Sequence, residues 1–450
     1  MSNTSLQLEK QTQWREGHCM VCNIPHPLRS VEPGETPERF ACVGCDTVYQ
    51  GKIRPNCPPE LLLNVRACDG PHVGVPLATA AADPAPALFT GPSPPPHGIA
   101  TSRLPAHEPV SCDMKNNASR LLDLQLERGR GLDCLRQGPS VNNRVKRHGA
   151  VPYAAENIEA VQRHGDASWL HVDALFKTLA AETPMKLDGL EKIAAGGLAN
   201  VLRDSDLLTA FSINPTNNEY PSRHSVHVAM LAMSIGTTLG LDEKQLSELA
   251  IGCLIHDLGM LAVRSDVYRE NRTLPRSDIF EIARHPLYTF DLIEQNLNWV
   301  PAGARMVAYQ MHERCDGSGY PRARAGRQIH ELARIAAVAD VYVALVSPRP
   351  HRPAMMPYHA MEAILRDVKA GLFDADVVRG LLQTVSLFPL GSFVALSDQR
   401  VGRVLRANRE QYMSPVVEVW NQNQLAAAPT ILDLAQHDDV KVARALDRLG

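Results

Sequence analysis

At 450 residues the chain is long enough for two to four modules and at least one sizeable apolar core. Its 46 basic and 49 acidic residues leave a formal charge of −3, so no global field draws it to nucleic acid or to an anionic membrane. No run of about 18 uncharged apolar residues occurs, and the polar opening "MSNTSLQLEKQTQWREGH" has no apolar leader core, so a cytoplasmic protein is expected.

Six of the ten cysteines fall within the first 68 residues. Cys19 and Cys22 form one CxxC pair and Cys42 and Cys45 another, with 19 residues between the pairs. Two such knuckles can present four thiolates tetrahedrally, as structural zinc requires. Residues 1–68 are therefore expected to be a small module resembling a zinc ribbon, holding one zinc ion that stabilises rather than catalyses. A protein partner for this module, and a homodimer of the chain, stay open. Residues 69–110 are rich in Pro and Ala and nearly free of large apolar side chains, which is linker composition. The linker is expected to run, largely disordered, to about residue 150.

From residue 154 apolar residues recur at i, i+3, i+4 and i+7, as in "AAENIEAVQRHG", "VDALFKTLAAE", "LDGLEKIAAGGLANVLRDS" and "SVHVAMLAMSIGTTLGL". The helical period continues through "HAMEAILRDVK", after which "SFVALS", "QRVGRVLRA" and "PVVEVWN" read as short strands. The expected fold is mainly α: a helical lead-in over 151–214, a helical domain over 215–390, and a small β-rich appendage over 391–450.

Several polar side chains stand where these helices should be apolar. They are His224, His256, Asp257, His285, His312 and Asp340; the pair His256–Asp257 interrupts the otherwise apolar "AIGCLIHDLGMLAV". A buried unpaired Asp costs several kcal/mol (about 2–7 for a neutral polar group, more for a charge), and coordination to a metal removes that cost. Mixed imidazole and carboxylate ligation suits iron or manganese as well as zinc. Two such ions can activate a nucleophile and clamp a phosphate for in-line attack.

The successive segments "RHSVHVA", "IHDLG", "ARHPLYTFDLI", "HERCDGSGYP", "ADVYVAL" and "RPHR" resemble, in order, the motifs of the HD-GYP domain. That resemblance implies an HD-superfamily helical bundle that hydrolyses cyclic di-GMP to pGpG, and in many members on to GMP, with one or two divalent ions. It implies a first metal set of His224, His256, Asp257 and Asp340, and a second set of Asp257, His285 and His312, with Asp257 catalytic. It also implies substrate contacts from Tyr320 and from Arg349 and Arg352, whose guanidinium groups suit phosphate.

Three positions depart from the family pattern. Met260 stands where HDxGK has its lysine, Met311 where a first histidine precedes the His-Glu pair, and Val343 where a second Asp follows the ligand Asp. Thioether is a poor substitute for imidazole on iron or manganese. Two readings follow: a slow cyclic di-GMP phosphodiesterase, or an inactive domain that binds the nucleotide or a protein.

Overall fold

The computed structural model describes residues 138–180, 188–215, 220–264, 275–297, 299–348, 353–421 and 428–447, and the backbone of five strands between residues 14 and 67. The chain divides into two compact units, Met1–Ser111 and Cys112–Gly450. In the first, β1 (Trp14–His18), β2 (Pro25–Ser30), β3 (Glu38–Cys42), β4 (Val48–Gly51) and β5 (Arg66–Ala67) form an antiparallel meander in chain order. Cys19, Cys22 and Cys45, the side chain of Cys42, and the zinc expected from them lie outside the described residues.

The second unit holds ten α-helices among the described residues: α1 (Ala155–Ala180), α2 (Asp188–Ser212), α3 (Ser222–Thr238), α4 (Glu243–Ile255), α5 (Arg276–Ala283), α6 (His285–Asn296), α7 (Ala302–Gln310), α8 (Glu331–Val346), α9 (Pro357–Lys369) and α10 (Ala375–Val385). The segments "AAENIEAVQRHG" and "VDALFKTLAAE" belong to one helix, α1, whose buried side is Val161, Val172, Leu175, Phe176 and Leu179. Two helices are buried almost all round and form the centre of the bundle. On α3 the run from His224 to Thr237 is inaccessible, and on α8 nearly every residue from Leu332 to Val346 is. Such helices carry no polar face, so any polar side chain on them needs a partner inside the protein. A reciprocal capping box starts α4: Asp242 Oδ1 accepts from Gln245 N (2.9 Å) and Asp242 N donates to Gln245 Oε1 (3.2 Å).

Helix α2 kinks at Asp204, whose backbone is extended (φ −158°, ψ 94°). The Asp204 carboxylate accepts from Leu207 N at 3.2 Å, capping the second half of the helix. Residues 138–150, expected to end the linker, pack on the bundle instead. Val141 is fully buried and its N–H donates to Leu241 O (3.1 Å), while Lys146 N donates to Leu202 O (3.1 Å).

After α10 comes a five-stranded antiparallel sheet in the order β10-β6-β7-β8-β9, built from β6 (Phe393–Leu396), β7 (Val401–Arg406), β8 (Val416–Trp420), β9 (Thr430–Asp433) and β10 (Val442–Leu446). The first three match the expected strands; β9 and β10 complete the sheet. Arg403 and Glu418 face each other across β7 and β8 and pair at 2.6 Å. Pairing slips by one residue between Val404 and Arg406, a bulge at the end of β7. Arg406 is buried there against α2. No helix among the described residues is long and apolar enough to cross a membrane.

Candidate metal centre

The first turn of α3 supplies His224, and α4 passes directly into a 3₁₀ segment, His256–Ala262, that carries His256 and Asp257. His285 opens α6, His312 follows α7, and Asp340 sits in the middle of α8. All six are buried, at 8% exposure or less. Two groups bring their ligand atoms within 4.8 Å of one another: His224, His256 and Asp257, and Asp257, His285 and His312. Asp257 belongs to both. Its Oδ2 is 3.3 Å from His256 Nε2 and its Oδ1 is 3.3 Å from His285 Nε2. Asp340 joins by another route, with Oδ1 2.9 Å from His224 Nε2 and Oδ2 3.6 Å from His312 Nδ1.

Backbone carbonyls fix two of the rings. His256 Nδ1 donates to Cys253 O and His285 Nδ1 donates to Ile282 O, both at 2.7 Å. Each Nε2 is thereby turned inward, the arrangement found around ligating histidines. His256 Nε2 is fully buried and meets the Asp257 carboxylate at 3.3 Å, a pairing that a metal ion would replace.

Electrostatics follow from this crowding. Burial raises Asp257 and Asp340, but the surrounding imidazoles outweigh it and hold both carboxyls below the usual range, so both are anionic. Burial lowers His285 and His312, and His285 adds to the lowering of His312, so both stay neutral. Burial also opposes charge on His256, yet the carboxylates of Asp257 and Asp340 prevail and lift it to about 9. Anionic carboxylates and neutral imidazoles are the forms that bind metal, and loading would displace the His256 proton.

A hydroxyl that sequence reading missed locks the segment in place. Thr289, fully buried on α6, donates from Oγ1 to His256 O (2.7 Å) and accepts from Gly259 N (2.8 Å). At Gly259 an added Cβ would stand 2.0 Å from His285 O, so only glycine lets this turn lie against α6. Nothing in "HPLYTFDLI" marks this threonine, because its two partners are backbone groups 30 and 33 residues away. Thr289→Val should leave both of those groups unpaired, at about 1–3 kcal/mol each, and weaken metal binding roughly 10–100-fold. Thr289→Ser should restore the affinity. Equal metal affinity in Thr289→Val, by chelator competition, would remove the hydroxyl from the site.

The loop from His312 to Gln328 closes one side. Tyr320 stacks on the His312 ring (centroids 4.9 Å apart, planes at 7°) and meets His285 edge-on (6.0 Å). Gly317 has φ +82°, the turn that favours glycine, whereas Gly319 is needed for room, since a Cβ there would lie 2.3 Å from Arg314 N. Glu313 accepts from Arg322 N (2.8 Å) and Arg324 N (2.9 Å), and burial nonetheless lifts it to about 7.

Of the three departures, Met311 and Val343 are fully buried in the main apolar core. Met260 lies in a smaller apolar cluster with Val263, Tyr220 and Ile282. Arg349 and Arg352 lie outside the described residues.

Residues 211–377 match the HD domain family. Over 242 residues the chain is 32% identical to the cyclic di-GMP phosphodiesterase PA4108 of Pseudomonas aeruginosa, covering 54% of this chain and 56% of that protein. It is 35% identical over 158 residues to the cyclic di-GMP phosphodiesterase response regulator RpfG of Xanthomonas campestris, covering 35% of this chain and 40% of that one. With the 3'3'-cGAMP-specific phosphodiesterase 1 of Vibrio cholerae it shares 32% identity over 166 residues, covering 36% and 37%. The chain thus spans about half the length, or less, of these relatives. It is an HD domain protein with a buried His/Asp cluster of metal-site character. More narrowly, that domain is related to the HD-GYP cyclic di-GMP phosphodiesterases.

Proposed function

We propose that the chain is a cytoplasmic, metal-dependent phosphodiesterase that hydrolyses cyclic di-GMP to pGpG. The observation that supports it most is the sharing of Asp257 between two buried histidine groups, the geometry of a carboxylate bridging two ions. His224, His256, His285, His312, Asp257 and Asp340 would hold one or two divalent ions, with iron or manganese favoured by the mixed donor set. When bound, such ions supply Lewis-acid charge for a phosphodiester and make water nucleophilic at neutral pH.

The chain's own groups do the rest. The carbonyls of Cys253 and Ile282 hold His256 and His285 in one tautomer, and Asp340 orients His224. Tyr320 covers the His312 face and keeps solvent off that side. Arg349 and Arg352, through the resemblance alone, are assigned to the substrate phosphates.

A second reading, a receptor that binds the nucleotide without turnover, draws support from the burial of Met260, Met311 and Val343 in apolar packing. Metal content and hydrolysis of cyclic di-GMP and 3'3'-cGAMP by anaerobically purified full chain separate the two. At least one ion per chain with pGpG formed is the expected result. Nucleotide binding with full metal content and no product would establish the receptor. Met311→His should raise metal content toward two per domain, at a stability cost of about 1–3 kcal/mol in the metal-free form.

A further inference from the structure

A polar cavity of about 580 Å³ opens where residues 142–149 meet the kink of α2 and the residues after β7. It is far from the metal centre. Thr238 lines it and stands 14 residues after His224 on α3, ~21 Å of helical rise.

Four cations line this cavity: Lys146, Arg147, Arg406 and Arg409. Arg409 donates from Nη1 to Asn142 Oδ1 (2.7 Å) and from Nη2 to Ser205 Oγ (3.1 Å). Arg147 donates from Nη2 to the same Asn142 Oδ1 (3.0 Å). Two guanidinium groups thus converge on one amide oxygen. Among the described residues neither forms an ion pair, and neither does Lys146.

The carboxylates of the cavity are engaged or peripheral. Asp204 is held by Arg406, and Asp206 lies 3.5 Å from the same guanidinium. Asp433 accepts from Ala435 N (3.0 Å), and Glu410 is exposed. Burial, and then the charge of Arg147, push Arg409 down to about 10 against an opposing pull from Asp206. With Asp206 already beside Arg406, and Arg147 and Arg409 sharing one neutral amide oxygen, the two guanidinium groups keep donors that a bound anion would take up. The planar fork of arginine matches phosphate oxygens better than any other side chain, and the volume is that of a small-ligand pocket.

We propose that this cavity binds a phosphate-bearing small molecule of mononucleotide size, gripped by Arg147 and Arg409. The binding needs no metal and is independent of the hydrolytic reading. Calorimetric titration of the full chain in EDTA tests it, with inorganic phosphate, GMP and AMP as probes and guanosine as the phosphate-free control. Saturable binding of at least one phosphate-bearing probe is expected, with none for guanosine. Arg147 is exposed, so Arg147→Gln spares the fold and should weaken that binding tenfold or more; Arg409→Gln should weaken it further. Undiminished affinity in Arg147→Gln, guanosine binding as tightly as GMP, binding that appears only when EDTA is omitted, or no binding of any probe would each overturn the proposal.

Discussion

On the proposed hydrolytic reading, Asp257→Asn should strip the helical domain of metal and abolish phosphodiester hydrolysis in the same step. Asp257 is the one residue common to the two histidine groups, with one oxygen directed to each. An amide keeps the shape but offers a single neutral oxygen, so it cannot bridge two cations or offset their charge. His224→Ala, by contrast, removes a member of one group only and should leave the set Asp257, His285 and His312 able to bind. Turnover should fall by on the order of 10³ or more in Asp257→Asn, the scale on which electrostatic stabilisers of a transition state act. Elemental analysis alongside a hydrolysis assay checks both halves. Retention of full metal content, or of activity within tenfold, would remove Asp257 from the centre.

The largest stability loss is expected at the other end of the bundle, in Arg406→Met. Arg406 is 3% exposed and Asp204 2%, and they meet through two bonds, at 3.1 and 3.2 Å. Arg406 also donates to Val151 O (2.7 Å) and lies over the Tyr153 ring at 4.5 Å. Methionine keeps much of the stem but leaves the Asp204 carboxylate buried without its cation, which costs about 3–5 kcal/mol. At roughly 2–4 °C per kcal/mol for a domain of this size, the melting midpoint should drop on the order of 10 °C. Arg406→Met combined with Asp204→Asn should recover part of the loss, because the stranded charge is gone. A single-variant loss below about 1 kcal/mol would show that water reaches the pair.

The helical domain was legible because its apolar residues keep one period over long stretches, and the buried His/Asp cluster because six polar residues break that period. Both signals are local. The join of two apolar segments into α1 was not legible, since the period alone does not say whether polar residues between two stripes end a helix. The role of Thr289 and the pairing of Arg406 with Asp204 were hidden for a related reason. The latter spans 202 residues, and neither residue is unusual in its own window. Strands β9 and β10 were missed because their exposed, mixed sequences lack the alternation of half-buried strands. Met260, Met311 and Val343 could be recognised as departures, but only the structure shows them as apolar packing.

The Glu313 carboxylate, tied to two backbone N–H groups nine and eleven residues ahead, has an entropic meaning. The same loop is pinned by Cys315 N to Leu372 O (2.9 Å), Gly326 N to Cys315 O (3.0 Å) and Tyr320 N to His312 O (3.1 Å). Fixing a free residue costs about 1–2 kcal/mol of conformational entropy, and a floppy loop imposes that cost on whatever ligand orders it. Here folding has already met it, through a buried side chain bound to the loop's own backbone. A nucleotide arriving beside Tyr320 would find a rigid wall, and its affinity would report contacts made rather than disorder overcome.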